Sequence, residues 1–243
     1  MQAKPYLLEI AFKKTDVPAS FEEYPFNIVA VQKLEVLSFH SDVTFLVGEN
    51  GAGKSTLIEA VALLMGFGPE GGTKNVQFAT AETVSVLHKY LRDIKSFKKP
   101  RDHYFLRAES FYNVATYMDQ TGYLRGYGDM SLHGRSHGEA FMTTLTQKLR
   151  GKGLYIFDEP EAALSPTRHM AALSAIHRLV NDDSQFIIAT HSPILLAYPR
   201  SKILLLDENG ITEVAYEDTE HYSITKRFLN NHRKMIEMLT SEE

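Results

Sequence analysis

Residues 48–56, G-E-N-G-A-G-K-S-T, fit the pattern G-x-x-x-x-G-K-[ST], and this pattern strongly limits the folds that the chain can adopt. Its glycines let backbone N–H groups close around phosphate oxygens, and the loop therefore needs a strand before it and a helix after it. The apolar run at residues 43–47 predicts that strand, and the run at 55–65 predicts that helix. We interpret the segment as a phosphate-binding loop for ATP or GTP. Its predicted nucleotide-binding residues are Gly48, Glu49, Asn50, Gly51, Ala52, Gly53, Lys54, Ser55 and Thr56.

The composition indicates a globular protein and excludes several kinds of site. Hydrophobic residues make up 44% and charged residues 23% of the 243 residues, values that are ordinary for a globular α/β chain. The absence of cysteine excludes disulfides, thiolate zinc sites and cysteine nucleophiles. No apolar run reaches the length of a membrane span, and no signal peptide is recognisable, so we expect a cytoplasmic protein without membrane insertion. We expect a single domain over residues 1–243, with a helical lobe inserted at about residues 80–150.

Hydrophobic patterns predict strands that alternate with helices after the loop. Further strands are expected at residues 6–12, 28–39, 104–108, 154–157, 186–189, 202–207 and 211–216. Helices are expected at 81–95, 140–149, 166–180 and 223–239, and a surface turn at 66–73. This alternation predicts an α/β fold of the P-loop type, with a mostly parallel sheet, helices on both faces and ligands at the strand carboxyl ends. The N-terminal strands, which have no helices between them, are expected to form an antiparallel side sheet.

Two carboxylates directly follow the apolar strand predicted at residues 154–157. Beside a phosphate loop, Asp158 is the candidate that holds Mg²⁺ together with Ser55. Glu159 is the candidate general base that polarises an attacking water, and Lys54 completes the candidate catalytic set. The alternative is a core strand that ends in a solvated acidic turn.

Two further motifs lie near predicted element ends. His191 follows the strand at 186–189, where it can donate a hydrogen bond to a γ-phosphate or to the attacking water. The alternative for His191 is a solvated loop residue. Residues 136–139, S-H-G-E, fit a capping box with Ser136 at the N-cap and Glu139 three residues later. A capped helix start that follows His133 and Arg135 is also a candidate anion site.

The order of these motifs resembles that of ABC-type ATPases over about residues 25–210. The resemblance implies ATP as the nucleotide, Mg²⁺ as the cofactor and an ATP-dependent, head-to-tail homodimer. In such a dimer, Ser136, Gly138 and Glu139 form the signature that contacts ATP bound to the second subunit. The sequence R-S-H-G-E departs from the usual L-S-G-G-Q, keeping the serine and the second glycine. Leu164 and Ser165 resemble the family's D-loop at the dimer interface.

The resemblance also implies a residue that contacts the metal or water, at the end of the strand that enters the helical lobe. Glu109 stands there in place of the family's glutamine, and Gln77 is the other candidate. An ion pair of Glu109 with Arg107 or Arg101 is the alternative. Tyr24 is the candidate for the aromatic residue that stacks on adenine.

Local motifs distinguish branches of this superfamily. T-H-S-P-I-L-L at 190–196 and D-E-P-E at 158–161 are similar to soluble ATPases of the RecF, SMC and OLD-like branch, and to compact bacterial ATPases of the AAA type. The resemblance implies ATP hydrolysis in DNA maintenance or phage defence, with a separate partner protein as one route of action. The alternatives are the motor subunit of a transporter and an ATP-gated dimerisation switch with slow turnover. The basic residues within 92–101 are the candidate DNA contact, and a solvated charged loop is the alternative.

Overall fold

The computed structural model of the chain describes residues 4–14, 18, 20–76, 84–121, 132–134 and 136–241. Gln77 and Arg135, which the sequence analysis considered, lie outside these residues. The strands form a six-stranded sheet and a three-stranded sheet. The strands are β1 (Leu7–Phe12), β2 (Val36–Ser38), β3 (Val43–Val47), β4 (Leu91–Lys95), β5 (Asp102–Arg107), β6 (Gly153–Asp158), β7 (Gln185–Ala189), β8 (Ser201–Asp207) and β9 (Gly210–Val214).

Helices cover the larger sheet. They are α1 (Val29–Gln32), α2 (Lys54–Leu64), α3 (Leu87–Tyr90), α4 (Phe111–Thr121), α5 (His137–Thr143), α6 (Pro166–Asn181), α7 (Pro193–Leu196) and α8 (Glu220–Thr240). Single 3₁₀ turns occupy Leu132–Gly134, Pro160–Ala163 and Tyr216–Asp218, and a π-helical turn at Thr144–Lys148 follows α5. Among the described residues, none of these helices combines the length and the apolar character that a membrane crossing requires.

The six-stranded sheet has the order β5-β6-β7-β3-β8-β9 and is parallel except for β9, which pairs antiparallel with β8. Every residue of β3, β6 and β7 is buried. Strands covered on both faces read as continuous apolar runs, which is why the sequence patterns at these strands are so clear. Because parallel strands in register end at the same edge, the segments after β3, β6 and β7 lie side by side.

Alternate side chains of the central strands enter different hydrophobic clusters, as the two-residue period of a strand requires. Phe45 and Phe186 pack in the cluster that includes α4, α5 and α6. Leu46 and Ile187 pack in the cluster that includes α2 and β1. Helix α2 contacts β6 and β7 of the larger sheet and β4 of the smaller one, so the helix behind the phosphate loop lies between the two sheets.

The smaller sheet is antiparallel with the order β2-β1-β4, which confirms the predicted N-terminal side sheet. A buried amide connects it to the larger sheet. The Oε1 of Gln185, on β7, accepts from the backbone N–H groups of Tyr6 at 2.8 Å and Leu7 at 3.0 Å. Its Nε2 donates to the carbonyls of Leu7 at 2.8 Å and His40 at 3.0 Å. One side chain therefore satisfies four backbone groups where the sheets meet.

Three local predictions are wrong, in each case because of tertiary contacts. Within the strand predicted at 28–39, residues 29–32 form α1 and only Val36–Ser38 form a strand. Within the helix predicted at 81–95, Leu91–Lys95 form β4, since they pair with β1. The segment 66–73 is largely buried, not a surface turn, and Gly72 bridges to Phe105 on the edge strand β5. Among the described residues of the predicted lobe, only the short helix α3 precedes β5, and the helices α4 and α5 follow it.

The remaining secondary-structure predictions agree with the structure to within a few residues. The strand and helix that flank the phosphate loop are β3 and α2. Ser165 caps α6 by accepting from the backbone N–H of Arg168 at 3.4 Å, and Pro166 occupies its first position. The C-terminal helix α8 begins at Glu220, has non-helical backbone angles at Asn231 and contains no buried residue.

We expect Gln185→Leu to lower the free energy of unfolding by about 3–5 kcal/mol, because it leaves buried backbone groups without partners. Chemical denaturation measures this difference. The matched control is Gln32→Leu, whose amide donates to the carbonyl of Phe21 at an exposed position, with an expected change below about 0.5 kcal/mol. Equal stability of Gln185→Leu and the wild type would contradict the assigned connection.

Candidate functional site

The loop between β3 and α2 requires glycine at two positions for steric reasons. Gly48 has φ +146°, and a Cβ added there would lie 2.3 Å from the carbonyl oxygen of Leu206. Gly53 has φ +97°, and its Cβ would lie 2.7 Å from Cγ2 of Ile28. Any side chain would therefore displace the backbone whose N–H groups form the predicted phosphate cradle.

Lys54, the first residue of α2, is directed back over the loop. Its Nζ donates to the carbonyl oxygens of Gly48 and Glu49, both at 2.8 Å. Burial lowers the pKa of Lys54, and the nearby carboxylates of Glu159, Asp158 and Glu161 oppose that shift. The structure thus holds the ammonium group next to the acidic residues that the sequence analysis selected.

Ser55 and Asp158 meet across the edge of the sheet. The Oγ of Ser55 donates to Oδ1 of Asp158 at 3.0 Å, although the two residues are far apart in sequence. Asp158 is the last residue of β6 and is buried. Burial raises its pKa from 3.8 to about 6, against the opposing effects of Arg107 and of the Ser55 hydrogen bond. A hydroxyl and a carboxylate at this distance are oxygen ligands of the type that Mg²⁺ prefers.

Sequence reasoning missed a buried ion pair behind this contact. Arg107, the last residue of β5, contacts Oε2 of Glu59 through Nη1 at 2.6 Å, and its Nε lies 3.8 Å from Oδ2 of Asp158. Glu59 is buried in α2 and also accepts from the backbone N–H of Ser85 at 2.8 Å. The pattern of α2 gave one signal, since a glutamate interrupts an otherwise apolar helix face. The pair fixes the guanidinium group beside Asp158.

Glu159 and His191 lie together at the ends of β6 and β7. Glu159 has the left-handed backbone conformation, φ 50° and ψ 52°, which costs a residue with a side chain about 1–2 kcal/mol. Its backbone N–H donates to the carbonyl of Ala189 at 3.0 Å, which holds the turn. The Nε2 of His191 lies 3.6 Å from Oε1 of Glu159 and is buried without a hydrogen-bond partner. A buried ring nitrogen in this state is available to a substrate or a water.

Glu161, which the sequence analysis did not assign a role, holds the backbone of His191. Its Oε1 accepts from the backbone N–H of His191 in a short hydrogen bond. The second glutamate of D-E-P-E therefore has a structural role, because it fixes the backbone position of His191.

The predicted capping box is present at the start of α5. The side chain of Ser136 accepts from the backbone N–H of Glu139 at 3.4 Å, and Oε2 of Glu139 accepts from the N–H of Ser136 at 2.9 Å and from its hydroxyl at 2.8 Å. Arg168, on the first turn of α6, lies close to both, with Nη1 at 3.4 Å from Ser136 Oγ and Nη2 at 3.6 Å from Glu139 Oε1. Sequence reasoning missed this cation, which forms an ion pair with Glu139 and contacts Ser136 in the predicted signature segment.

A cavity of about 650 Å³ connects several of the predicted site residues. It lies between the start of α5, the end of β5 and the turn that follows β6. The members that bear on function are Glu109, Ser136, Gly138, Glu159, Leu164 and Arg168. The structure therefore brings the signature, the D-loop, the candidate base and Glu109 to one open space.

The roles assigned to Glu109 and Tyr24 stay predictions. Glu109 has a highly exposed side chain and lies 3.6 Å from Nη2 of Arg107, so it forms an ion pair at the cavity surface. Tyr24 is exposed, and its hydroxyl lies 3.2 Å from Oγ1 of Thr56 at the end of the phosphate loop. An exposed ring beside the loop fits the predicted contact with adenine.

The candidate DNA contact lies on β4 and in the connection from β4 to β5. Lys95 pairs there with Asp93, and Phe97 has 82% of its surface exposed. Its basic residues are Arg92, Lys95, Lys98, Lys99 and Arg101.

Comparison with known proteins gives one family match over part of the chain. Residues 26–116 match the family model described as an AAA domain, a segment that contains the phosphate loop and Arg107. Among curated proteins, none matches the chain significantly.

Solved structures show the fold. The chain is similar to cbiO1 from Clostridium perfringens, described as part of the ABC transporter complex cbiONQ, with 17% identity and a TM-score of 0.51 over 97% of this chain and 99% of that chain. The SMC head domain from Thermotoga maritima aligns with 14% identity and a TM-score of 0.48 over 87% of this chain and 100% of that chain. The first of these likenesses confirms the predicted fold class.

The raised pKa of Asp158 predicts that its buried, charged carboxylate lowers the stability of the folded protein. Because burial raises its pKa from 3.8 to about 6, the folded state holds the proton more tightly than the unfolded chain, and stability falls as pH rises from about 3.8 to about 6. We expect Asp158→Asn to stabilise the protein without nucleotide or Mg²⁺ by about 1–3 kcal/mol at about pH 7.5, and to have no such effect near about pH 4.

Denaturant unfolding at both pH values measures this difference. Asp218→Asn, at an exposed position, is the control and should change stability at neither pH. Destabilisation by Asp158→Asn at the higher pH would contradict the assigned cost of burying the carboxylate.

Proposed function

We propose that this chain is a nucleotide-binding domain of the AAA/ABC ATPase type, which binds ATP with Mg²⁺ and hydrolyses its γ-phosphate bond in a head-to-tail dimer. The match of residues 26–116 to an AAA domain and the fold support this proposal. One observation carries the proposal. The hydrogen bond between Ser55 and Asp158 at 3.0 Å brings together two oxygen groups of the type that Mg²⁺ prefers, at the sheet edge where Glu159 lies 3.6 Å from His191. A protein that only binds nucleotide needs neither of the last two residues.

Lys54 and the loop amides hold the β- and γ-phosphates in this proposal. The Nζ of Lys54 already lies over the loop, bound to the carbonyls of Gly48 and Glu49. Exchange of these neutral carbonyls for phosphate oxygens would pair the buried ammonium group directly with negative charge. Tyr24, which contacts Thr56, packs against the base.

Ser55 and Asp158 are the residues that would hold Mg²⁺. The fit rests on their donor set, since Mg²⁺ in nucleotide sites is bound by one or two carboxylates, a hydroxyl and the substrate phosphates. When bound, the ion neutralises charge that develops on the phosphate oxygens. Arg107 and the Glu59 that pairs with it keep Asp158 in position.

Glu159 takes the proton of the attacking water, and His191 donates a hydrogen bond to the γ-phosphate. The carboxylate of Glu159 is partly exposed, which gives water access to it. The unpartnered Nε2 of His191 supplies the donor. Positioning of the nucleophile and electrostatic stabilisation provide most of the catalysis in phosphoryl transfer.

Ser136 and Gly138 act on the nucleotide of the second subunit, and Leu164 and Ser165 lie at the subunit contact. The position of Arg168 beside Ser136 supports this assignment. Its guanidinium group and the Ser136 hydroxyl both contact the carboxylate of Glu139, and a phosphate oxygen that replaced this carboxylate would be bound by the same two donors. We further propose that residues 1–243 form one domain, which the shared cluster of α2 and both sheets supports.

Substitutions of Lys54 and Glu159 separate binding from hydrolysis. We expect Glu159→Gln to retain ATP binding and to lower kcat about 10²- to 10⁴-fold, the typical contribution of a general base. We expect Lys54→Ala to abolish binding, because the loop loses the charge that faces the phosphates. Isothermal titration calorimetry and phosphate release measure the two effects.

The control for this pair is Lys33→Ala, an exposed lysine that donates to the carbonyl of Glu208 away from the loop. Equal turnover in Glu159→Gln and the wild type would overturn the assignment of the base. If both proteins also dimerised with ATP, the chain would be an ATP-gated switch.

Mixed dimers test whether Ser136 acts in trans. Ser136→Asp keeps an N-cap acceptor and places a negative charge where the γ-phosphate would bind, so we expect it to be inactive alone, like Glu159→Gln. A mixture of these two variants forms dimers in which one site has both native residues. We expect the mixture to regain up to about one quarter of wild-type turnover.

Light scattering with Mg-ATP checks that the mixed species are dimers, and Ser136→Asn, which also keeps the cap, controls for the added charge. No recovery on mixing, with dimers present, would show that Ser136 does not complete the site of a second subunit.

A further inference from the structure

The first turn of α8 carries a histidine that contacts the site and that the mechanism above does not use. The Nε2 of His221 lies 3.0 Å from Nδ1 of His191, within hydrogen-bond distance. The ring centroids are 5.2 Å apart and the rings are inclined at 47°. His221 is about half-buried, whereas α8 contains no fully buried residue. The side chain of His221 therefore connects the exposed helix to the candidate nucleotide site.

Hydrogen bonds at the start of α8 and near His191 fix the position of this contact. Thr219 caps α8 by accepting from the backbone N–H of Tyr222 at 3.3 Å and donates to the carbonyl of Tyr216 at 2.7 Å. The hydroxyl of Tyr216 donates at 2.9 Å to the carbonyl of Pro193, two residues after His191. The two histidines are thus attached to the same hydrogen-bonded scaffold, and their separation does not depend on the exposed part of α8.

The contact bears on which nitrogen of His191 carries the proton. A neutral imidazole donates from one ring nitrogen and accepts at the other. The Nε2 of His191 faces the carboxylate of Glu159 at 3.6 Å, and a carboxylate favours a proton on the nitrogen that faces it. His191 then accepts at Nδ1, and the Nε2–H of His221 is the donor within reach.

The state of His221 agrees with that role. Burial lowers its pKa, and the positive charges of His191, when protonated, and Lys54 act in the same direction. A neutral His221 can donate through Nε2 without adding a second positive charge beside Lys54.

We propose that His221 is a positioning residue that fixes His191 in the Nε2–H tautomer, with that N–H directed at the γ-phosphate. The proposal names a further residue of the proposed ATPase site and so rests on that function for its catalytic consequence. The opposite tautomer would present a lone pair of Nε2 to an anion and would repel it. His221 therefore acts through His191 and touches neither the nucleotide nor the water.

The tautomer is measured directly by long-range ¹H–¹⁵N spectra of the histidine rings in nucleotide-free protein, with His191 assigned by the loss of its signals in His191→Gln. We expect a protonated Nε2 and a bare Nδ1 in the wild type. We expect His221→Ala to give averaged tautomers, and His221→Gln, which keeps an N–H donor, to preserve the wild-type pattern. His232→Ala, an exposed histidine of the same helix, should leave the spectrum of His191 unchanged.

Steady-state kinetics measure the consequence. We expect His221→Ala to lower kcat about 10- to 100-fold while KM for ATP changes less than about threefold, since groups that orient a functional imidazole typically contribute this much. His221→Gln should recover most of the loss, and His232→Ala should match the wild type.

A wild-type His191 protonated on Nδ1, or an unchanged tautomer and kcat in His221→Ala, would overturn the proposal. If His221→Ala does not fold, the spectra of the wild type and His221→Gln decide. If the wild type itself does not hydrolyse ATP, the proposed function fails, and the nucleotide-free spectra still decide the role of His221.

Discussion

The register of three neighbouring parallel strands, β6, β7 and β3, is the constraint on which the candidate site depends. Asp158 is paired with Ala189, and Ala189 is paired with Leu46, so the strands end at one level. Their side chains are buried on both faces, and a slip of one residue would exchange the residues that pack against α2 for those that pack against α6. The phosphate loop, the acidic pair and His191 meet because the packing of apolar side chains allows one register. The arrangement of the candidate site at this edge therefore follows from the packing of the core.

Charged groups buried at the same edge oppose the stability that this packing provides. Burial raises the pKa of Asp158 and lowers the pKa of Lys54, so both groups are held where their charged forms are less favourable than in water. Their proximity, and the pair formed by Arg107 and Glu59, compensates part of this cost. A bound metal ion and phosphates would compensate more, which is the expected state of a site organised for its ligand rather than for maximal stability. The buried amide of Gln185 and the apolar faces of α2 supply stability elsewhere.

Sequence patterns predicted the elements that are covered on both faces and failed where tertiary contacts decide. Residues 43–47 and 186–189 are strands as predicted, because a continuous apolar run leaves few alternatives. Residues 91–95 have helical spacing but pair with β1, since this pairing satisfies the backbone groups along an edge of β1 that would otherwise be left open. Residues 66–73 are predicted as a glycine-rich surface turn, yet Gly72 pairs with Phe105 and most of the segment is buried or half-buried. Glycine-rich composition does not distinguish an exposed turn from one packed against a strand.

The sequence by itself determined the motifs of this protein: a predicted phosphate loop, an acidic pair after a strand, a histidine after the next strand and a capping box at the start of a helix. These are local patterns, and the physical reason that they can be recognised is that backbone geometry and ligand type restrict each to a few residue types over short spacings. Only the tertiary structure decided which groups support them. Glu59 joins Arg107, Arg168 joins Ser136, and His221 joins His191 across 30 to 48 positions of sequence. Such contacts depend on how elements pack in space, and no local pattern encodes that separation.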